Sequence, residues 1–81
     1  MRLAFTPHFR RGYRKAPPDV QRIFSKMSLL LLADLGHPSL HAKKYDESRN
    51  LWQARVNRDW RFYFTIEDDE YWMQEIRSHP K

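Results

Sequence analysis

From Leu51 onward the chain alternates apolar and polar residues with a period of two. Trp52, Ala54 and Val56 fall on one side of the first run, and Gln53, Arg55 and Asn57 fall on the other. In the second run Trp60, Phe62, Phe64 and Ile66 align, with Arg61, Tyr63 and Thr65 behind them. This period predicts strands rather than helices. A tight loop at Asn57-Arg58-Asp59 places Val56 opposite Trp60, Ala54 beside Phe62 and Trp52 beside Phe64. A one-residue slip would turn one whole apolar set to water, so the pattern sets the register. The same register puts Arg55 directly across from Arg61. Like charges in that position cost a few tenths to ~1 kcal/mol. A chain that keeps such a pair uses it to hold an anion. A third run, Tyr71 to His79, follows an acidic tip at Glu67-Asp68-Asp69-Glu70 and completes three antiparallel strands.

The N-terminal half reads differently. Arg2 to Phe5 is a short strand with Leu3 and Phe5 facing inward. Thr6 is a good helix N-cap, and Pro7 suits the first helical position. Phe9 and Tyr13 share one face of this helix, Arg10, Arg11, Arg14 and Lys15 cover the rest, and Pro17-Pro18 ends it. Pro18-Asp19 opens a longer helix. In it Val20, Ile23, Phe24, Met27, Leu30, Leu31 and Leu35 keep the spacing of a packed stripe. Gly36 suits the position just past its end, and Pro38 prevents continuation. His37 to Leu40 is a connector, His41 to Asp46 a strand carrying Lys43, Lys44 and Tyr45, and Glu47 to Asn50 a polar turn. The expected fold is therefore α+β, with two N-terminal helices packed on one face of a small, mostly antiparallel sheet.

With 81 residues the chain is expected to form one domain, residues 1–81, around a single modest core. Aromatics, 15% of the residues, make that core feasible. Without cysteine there is no disulfide framework and no thiolate metal site. No apolar run reaches the ~18 residues of a membrane span, and the first residues lack the apolar core of a signal peptide. These features favour the cytoplasm and no membrane. The net charge is +5 and the pI about 9.9. Nucleic acid or an acidic protein is the partner class this implies.

If the helices cover the aromatic side of the sheet, the other side stays open. Arg55 and Arg61 lie there. Arg77 and His79 join them by parity if the last hairpin pairs Phe64 with Trp72 or Gln74. Lys43 or Lys44 enters from the preceding strand, and only one of them can point the right way. Such a cation cluster suits an RNA backbone and the extra charge of a phosphorane-like transition state. Histidine is the side chain suited to proton transfer near neutral pH, so His79 is the candidate acid or base. This outlines a ribonuclease needing no metal or other cofactor. The ribose 2′-hydroxyl attacks, side chains move the protons, and arginines neutralise the phosphate. Other residues read more plainly. Trp52, Trp60, Phe62 and Phe64 suit the core, Tyr63 and Tyr71 can reach the open face, Asn57 and Asp59 form a turn, and His8 is a surface residue. His37 and His41 are four apart, but Pro38 between them argues against a helical metal pair.

The sequence also resembles the RelE/ParE superfamily of type II toxin–antitoxin toxins. The likeness runs through Phe5-Thr6-Pro7, Phe9, Ala16-Pro17-Pro18, His37-Pro38-Ser39-Leu40, Ala42 to Asp46, Trp52 to Phe64 and His79-Pro80-Lys81. The Trp52 to Phe64 block is its most specific part. The resemblance implies a toxin that enters the ribosomal A site and cuts mRNA there, acting as an mRNA interferase. It also implies a cognate acidic antitoxin that covers the active surface. Family positions match Lys43 or Lys44, Arg55, Asp59-Trp60, Arg61, Arg77 and His79. The candidate catalytic residues are then His79, Arg61, Arg55, Lys43 and Lys44, and the candidate RNA contacts are Arg77, Arg58, Lys81, Trp60 and Asp59. The ParE branch inhibits DNA gyrase without cutting RNA, and a non-catalytic RNA-binding module is a further alternative. Two departures matter. Many ribonuclease members have a tyrosine or phenylalanine just beyond the last histidine or arginine, where this chain has Pro80 and Lys81. A third-strand histidine of some relatives is Arg55 here, which makes it a phosphate ligand rather than a proton carrier.

Overall fold

A computed structural model describes residues 1–79. The elements are β1 (Arg2–Phe5), α1 (Pro7–Lys15), α2 (Pro18–Ala33), β2 (Lys43–Asp46), β3 (Leu51–Arg55), β4 (Trp60–Glu67) and β5 (Glu70–Ser78). A 3-10 turn, Pro38–Leu40, precedes β2. The five strands form one sheet in the order β1-β5-β4-β3-β2. β1 runs parallel to β5, and every other pair is antiparallel. This is the expected α+β fold, with both helices on one sheet face.

Local chemistry explains the helix boundaries. Thr6 Oγ1 accepts the Phe9 N–H at 3.1 Å, and Pro7 needs no donor at the helix start. The residue before a proline avoids helical geometry, and Ala16 is accordingly extended at φ −71° and ψ 149°. The sharp break lets α2 fold back on α1. Gln21 Nε2 donates to the carbonyls of Tyr13 (2.7 Å) and Ala16 (3.3 Å), and the Tyr13 hydroxyl donates to the Gln21 carbonyl at 3.2 Å. The exit of α2 differs from expectation. The helix stops at Ala33, and no glycine takes a left-handed conformation. Asp34 is extended, and its Oδ1 accepts the Gly36 N–H at 2.9 Å. A local carboxylate bond thus replaces the glycine cap.

The stripe on α2 packs where predicted. Val20, Phe24, Met27 and Leu31 are buried together with Phe9, Ala54, Val56, Phe62, Phe64, Met73 and Ile76. Phe24 meets Phe62 edge-on, with ring centroids 5.1 Å apart. The β3–β4 register is the one read from the alternation: Trp52 pairs with Phe64, Ala54 with Phe62 and Arg55 with Arg61. Asn57 Oδ1 closes the connecting loop by accepting the N–H groups of Asp59 and Trp60, both at 2.9 Å.

The last hairpin carries an irregularity that alternation does not reveal. Tyr63 pairs with Glu75, but Phe64 pairs with Met73, so Gln74 bulges from β5. The bulge reverses the facing of residues on either side of it. Tyr71, expected to reach the open face, therefore lies in the core at 6% exposure, edge-on to Phe64 at 5.5 Å. Beyond the bulge, Arg61 pairs with Arg77, which keeps both on the open face.

Candidate active site

Three arginines occupy one row of the open face. Arg55, Arg61 and Arg77 are register neighbours on β3, β4 and β5. The next row brings together Lys43, Gln53 and Tyr63. A cavity of about 350 Å³ lies over the β2–β3–β4 part of these rows, lined by His41, Ala42, Lys43, Gln53, Arg55, Arg61 and His79. No carboxylate is among those residues.

The loop before β4 aims Arg61. Its Nη1 donates to the carbonyls of Asn57 (2.7 Å), Trp60 (3.0 Å) and Arg58 (3.2 Å). Burial, and then the neighbouring charge of Arg55, push the Arg61 pKa below its ordinary value. The Arg55 Nε is buried without a hydrogen-bond partner among the described residues. Two guanidinium groups are thus held side by side with donor capacity to spare, which is the electrostatic profile of an anion seat. The His79 backbone N–H donates to the Asp59 carbonyl at 2.6 Å, which ties the end of β5 to the same loop. Its side chain is exposed and borders the cavity.

The remaining candidates separate by geometry. Lys43 lines the cavity, whereas Lys44 points to the opposite side of β2, as the period of two requires. Lys44 lies over the Trp52 ring at 5.1 Å and donates to Asn50 Oδ1 at 2.8 Å, so it has no place in the cavity. Arg77 shares the face but turns along the sheet. Its guanidinium lies 4.5 Å from the Tyr63 ring centre and donates to Glu75 Oε2 at 3.1 Å. Burial lowers the Arg77 pKa, but Tyr63, then Glu75 and Tyr45, outweigh it and leave a net upward shift. Trp60 is half-buried against the core, as its alternation partner set implies, and is not presented for base stacking. Arg58 and Asp59 are exposed on the loop, where their backbone carbonyls position Arg61 and His79. Lys81 lies outside the described residues.

Sequence reasoning missed three residues. His41 enters the cavity because the chain leaves the 3-10 turn there with a left-handed φ of 47°, instead of starting the strand. Its distant partner in the sequence pattern, His37, is used differently: its Nδ1 accepts the Ser39 N–H at 3.1 Å. Gln53 is 6% exposed and donates to the Tyr63 hydroxyl at 3.0 Å, between the cation rows. Tyr45 stands on the open face two residues beyond Lys43, and that spacing was the signal that could have found it.

No protein-family model matches the chain, and no curated protein matches it. Solved structures do. The YoeB dimer structure from Staphylococcus aureus superposes with a TM-score of 0.80 at 12% identity, covering 99% of this chain and 98% of that one. A YoeB/ParE toxin from Agrobacterium tumefaciens gives 0.79 at 11% identity, covering 99% and 100%. The archaeal RelE–RelB complex from Pyrococcus horikoshii gives 0.78 at 15% identity, covering 95% and 92%. The chain thus has the fold of RelE/ParE-type toxins over nearly its whole length.

Proposed function

We propose that this chain, built on the fold of RelE/ParE-type toxins, is the toxin of a type II toxin–antitoxin pair and cuts mRNA in the ribosomal A site. The observation that carries the ribonuclease reading is the cavity free of carboxylates, where Arg55 and Arg61 sit side by side, Arg55 Nε lacks a partner among the described residues, and Lys43 and His79 join the lining. RNA supplies its own nucleophile, the 2′-hydroxyl, so the protein must hold the phosphate, stabilise added negative charge and move two protons. Arg55 and Arg61 serve as phosphate ligands. His79 transfers one proton, and Lys43, which lines the same cavity, is the candidate for the other. The fold likeness supports the toxin role, and the RelE–RelB complex of Pyrococcus horikoshii supports a cognate antitoxin. The net charge of +5 fits a partner rich in carboxylates.

The test is a defined translation reaction with purified ribosomes and one short messenger, mapped by primer extension. A parallel reaction omits ribosomes, and others use His79→Ala and Arg61→Ala. Cuts within A-site codons should need the ribosome and vanish with His79→Ala. Arg61→Ala should slow cutting by about 2–4 kcal/mol of lost transition-state stabilisation, the scale of one oxyanion contact. Wild-type cutting by both variants would refute the site. Intact messenger in every reaction, with inhibited gyrase supercoiling, would replace this reading by the ParE-like one.

A further inference from the structure

A second cavity, about 480 Å³, adjoins the cationic one and is walled by Tyr45, Tyr63, Arg77 and Ser78. The two share Gln53 and His79, so they are continuous along the sheet. Their chemistry differs. The first holds Lys43, Arg55 and Arg61, and the second holds two touching aromatic rings with the Arg77 guanidinium against Tyr63. Tyr45 is the unusual member. Its ring is 49% exposed on the open face, yet it is held in place. It meets Tyr63 at 5.1 Å and 70°, and its hydroxyl lies 3.5 Å from Arg77 Nη2. Tyr63 itself is only 2% exposed, so it serves as the fixed base beneath Tyr45. An oriented, half-exposed aromatic packed on Tyr63, whose row adjoins the phosphate seat on the same sheet face, is an arrangement by which single-stranded nucleic acid is bound through base stacking.

We propose that Tyr45 is a nucleobase-stacking residue, and that the cavity it walls takes the nucleoside next to the phosphate seated at Arg55 and Arg61. This assignment rests on the reading that the cationic cavity receives an RNA phosphate. Stacking tolerates all four bases, so Tyr45 contributes affinity and positioning. Gln53 and Ser78 are the polar groups available at the same cavity to favour one base edge over another.

The probe is a short single-stranded oligonucleotide with 2′-O-methyl riboses, which cannot be cut, carrying one 2-aminopurine. Binding is read by anisotropy and stacking by fluorescence quenching, with wild type, Tyr45→Phe, Tyr45→Leu and Tyr45→Ala. The same oligonucleotide with an abasic site is the control. Wild type and Tyr45→Phe should bind within about twofold of each other and quench. Tyr45→Leu covers Tyr63 without a π-face. It should bind roughly 10-fold more weakly, with Tyr45→Ala, and neither should quench, matching the abasic control on wild type. Quenching and binding by Tyr45→Leu equal to wild type overturn the stacking assignment alone. Wild type that binds no oligonucleotide also overturns it, whereas the ribonuclease reading, whose cutting needs the ribosome, stands or falls with the translation assay. Binding that depends on Tyr45, in a protein that never cuts, upholds the stacking site and removes only the catalysis.

Discussion

Replacing Arg55 by methionine should make the protein more stable while emptying the proposed phosphate seat. Methionine keeps the unbranched stem that packs on β3 but removes the charge and the donors. Two penalties disappear. One is the repulsion between directly opposed guanidinium groups, a few tenths to ~1 kcal/mol for such a cross-strand pair. The other is the buried, unpartnered Nε; an unsatisfied donor costs about 1–3 kcal/mol when fully buried. Arg55 is only half-buried, so the lower part of that range applies. The expected gain is about 1–2 kcal/mol, or about 4–16 °C in Tm for a domain of this size. Urea unfolding at low and high salt gives the assay, with the m-value held as a check on the denatured state. About 1 M salt screens the repulsion but not the missing hydrogen bond, so part of the gain should persist there. Sulfate adds a second reading. It should stabilise wild type beyond its general effect on both proteins, by RT ln(1 + [L]/Kd) for a specific site. A methionine variant no more stable than wild type, or one that responds equally to sulfate, would refute the argument that these arginines are a strained anion seat.

Three further outcomes follow from single contacts. Asn57→Ala removes the acceptor for two loop N–H groups and should cost about 1–2 kcal/mol; because the backbone carbonyls of that loop aim Arg61, loosening the loop should lower cleavage in a variant that still unfolds cooperatively. Thr6→Ala removes the α1 cap and should lower stability by about 1 kcal/mol, read as a lower urea midpoint, leaving oligonucleotide binding unchanged. Burial raises the Tyr71 pKa, so the neutral phenol is favoured in the fold. Its contribution is complete below the unfolded value of about 10 and is lost as pH rises through the folded value; Tyr71→Phe should flatten the alkaline fall in stability measured by urea titration, and an unchanged alkaline limb would count against that assignment.

The parts of the site that were legible in the sequence are those governed by alternation alone. Strand period and a three-residue loop were enough to place Arg55 against Arg61, because any slip would have exposed Trp60, Phe62 and Phe64 together. The same parity left Lys43 and Lys44 unresolved until the β2–β3 pairing of Lys43 with Gln53 was known. Tyr71 was misplaced because β5 has aromatic or apolar residues at Tyr71, Trp72 and Met73, so its pattern cannot signal which residue bulges. His41 was unreadable for another reason. Its position depends on a left-handed residue after a 3-10 turn, and histidine is only one of several residue types that tolerate that conformation. The turn of Arg77 onto Tyr63 is a side-chain choice between water and an aromatic face, which no spacing rule decides.

The strain in the cation row also bears on how such a protein would be restrained. Phosphate at Arg55 and Arg61 relieves their mutual repulsion, and so does a carboxylate placed there. The relief belongs to the site and not to either ligand, so under the proposed function RNA and an acidic partner segment would compete for it without any change in the fold. The rigidity of the row makes that competition effective. Arg61 is held by three carbonyls and His79 by one, on strands whose other face is locked into the Phe62 and Phe64 core. A flexible surface arginine could swing into water to escape its neighbour. Arg61 is fixed by its carbonyls across from Arg55, so the unfavourable charge persists until an anion arrives. Occupancy by an acidic segment should therefore block oligonucleotide binding more steeply at low salt than at high salt, because the shared gain is electrostatic. Competition measured by anisotropy across a salt series would decide the matter: a blocking effect independent of salt would place the partner's main contact on an apolar surface away from Arg55 and Arg61.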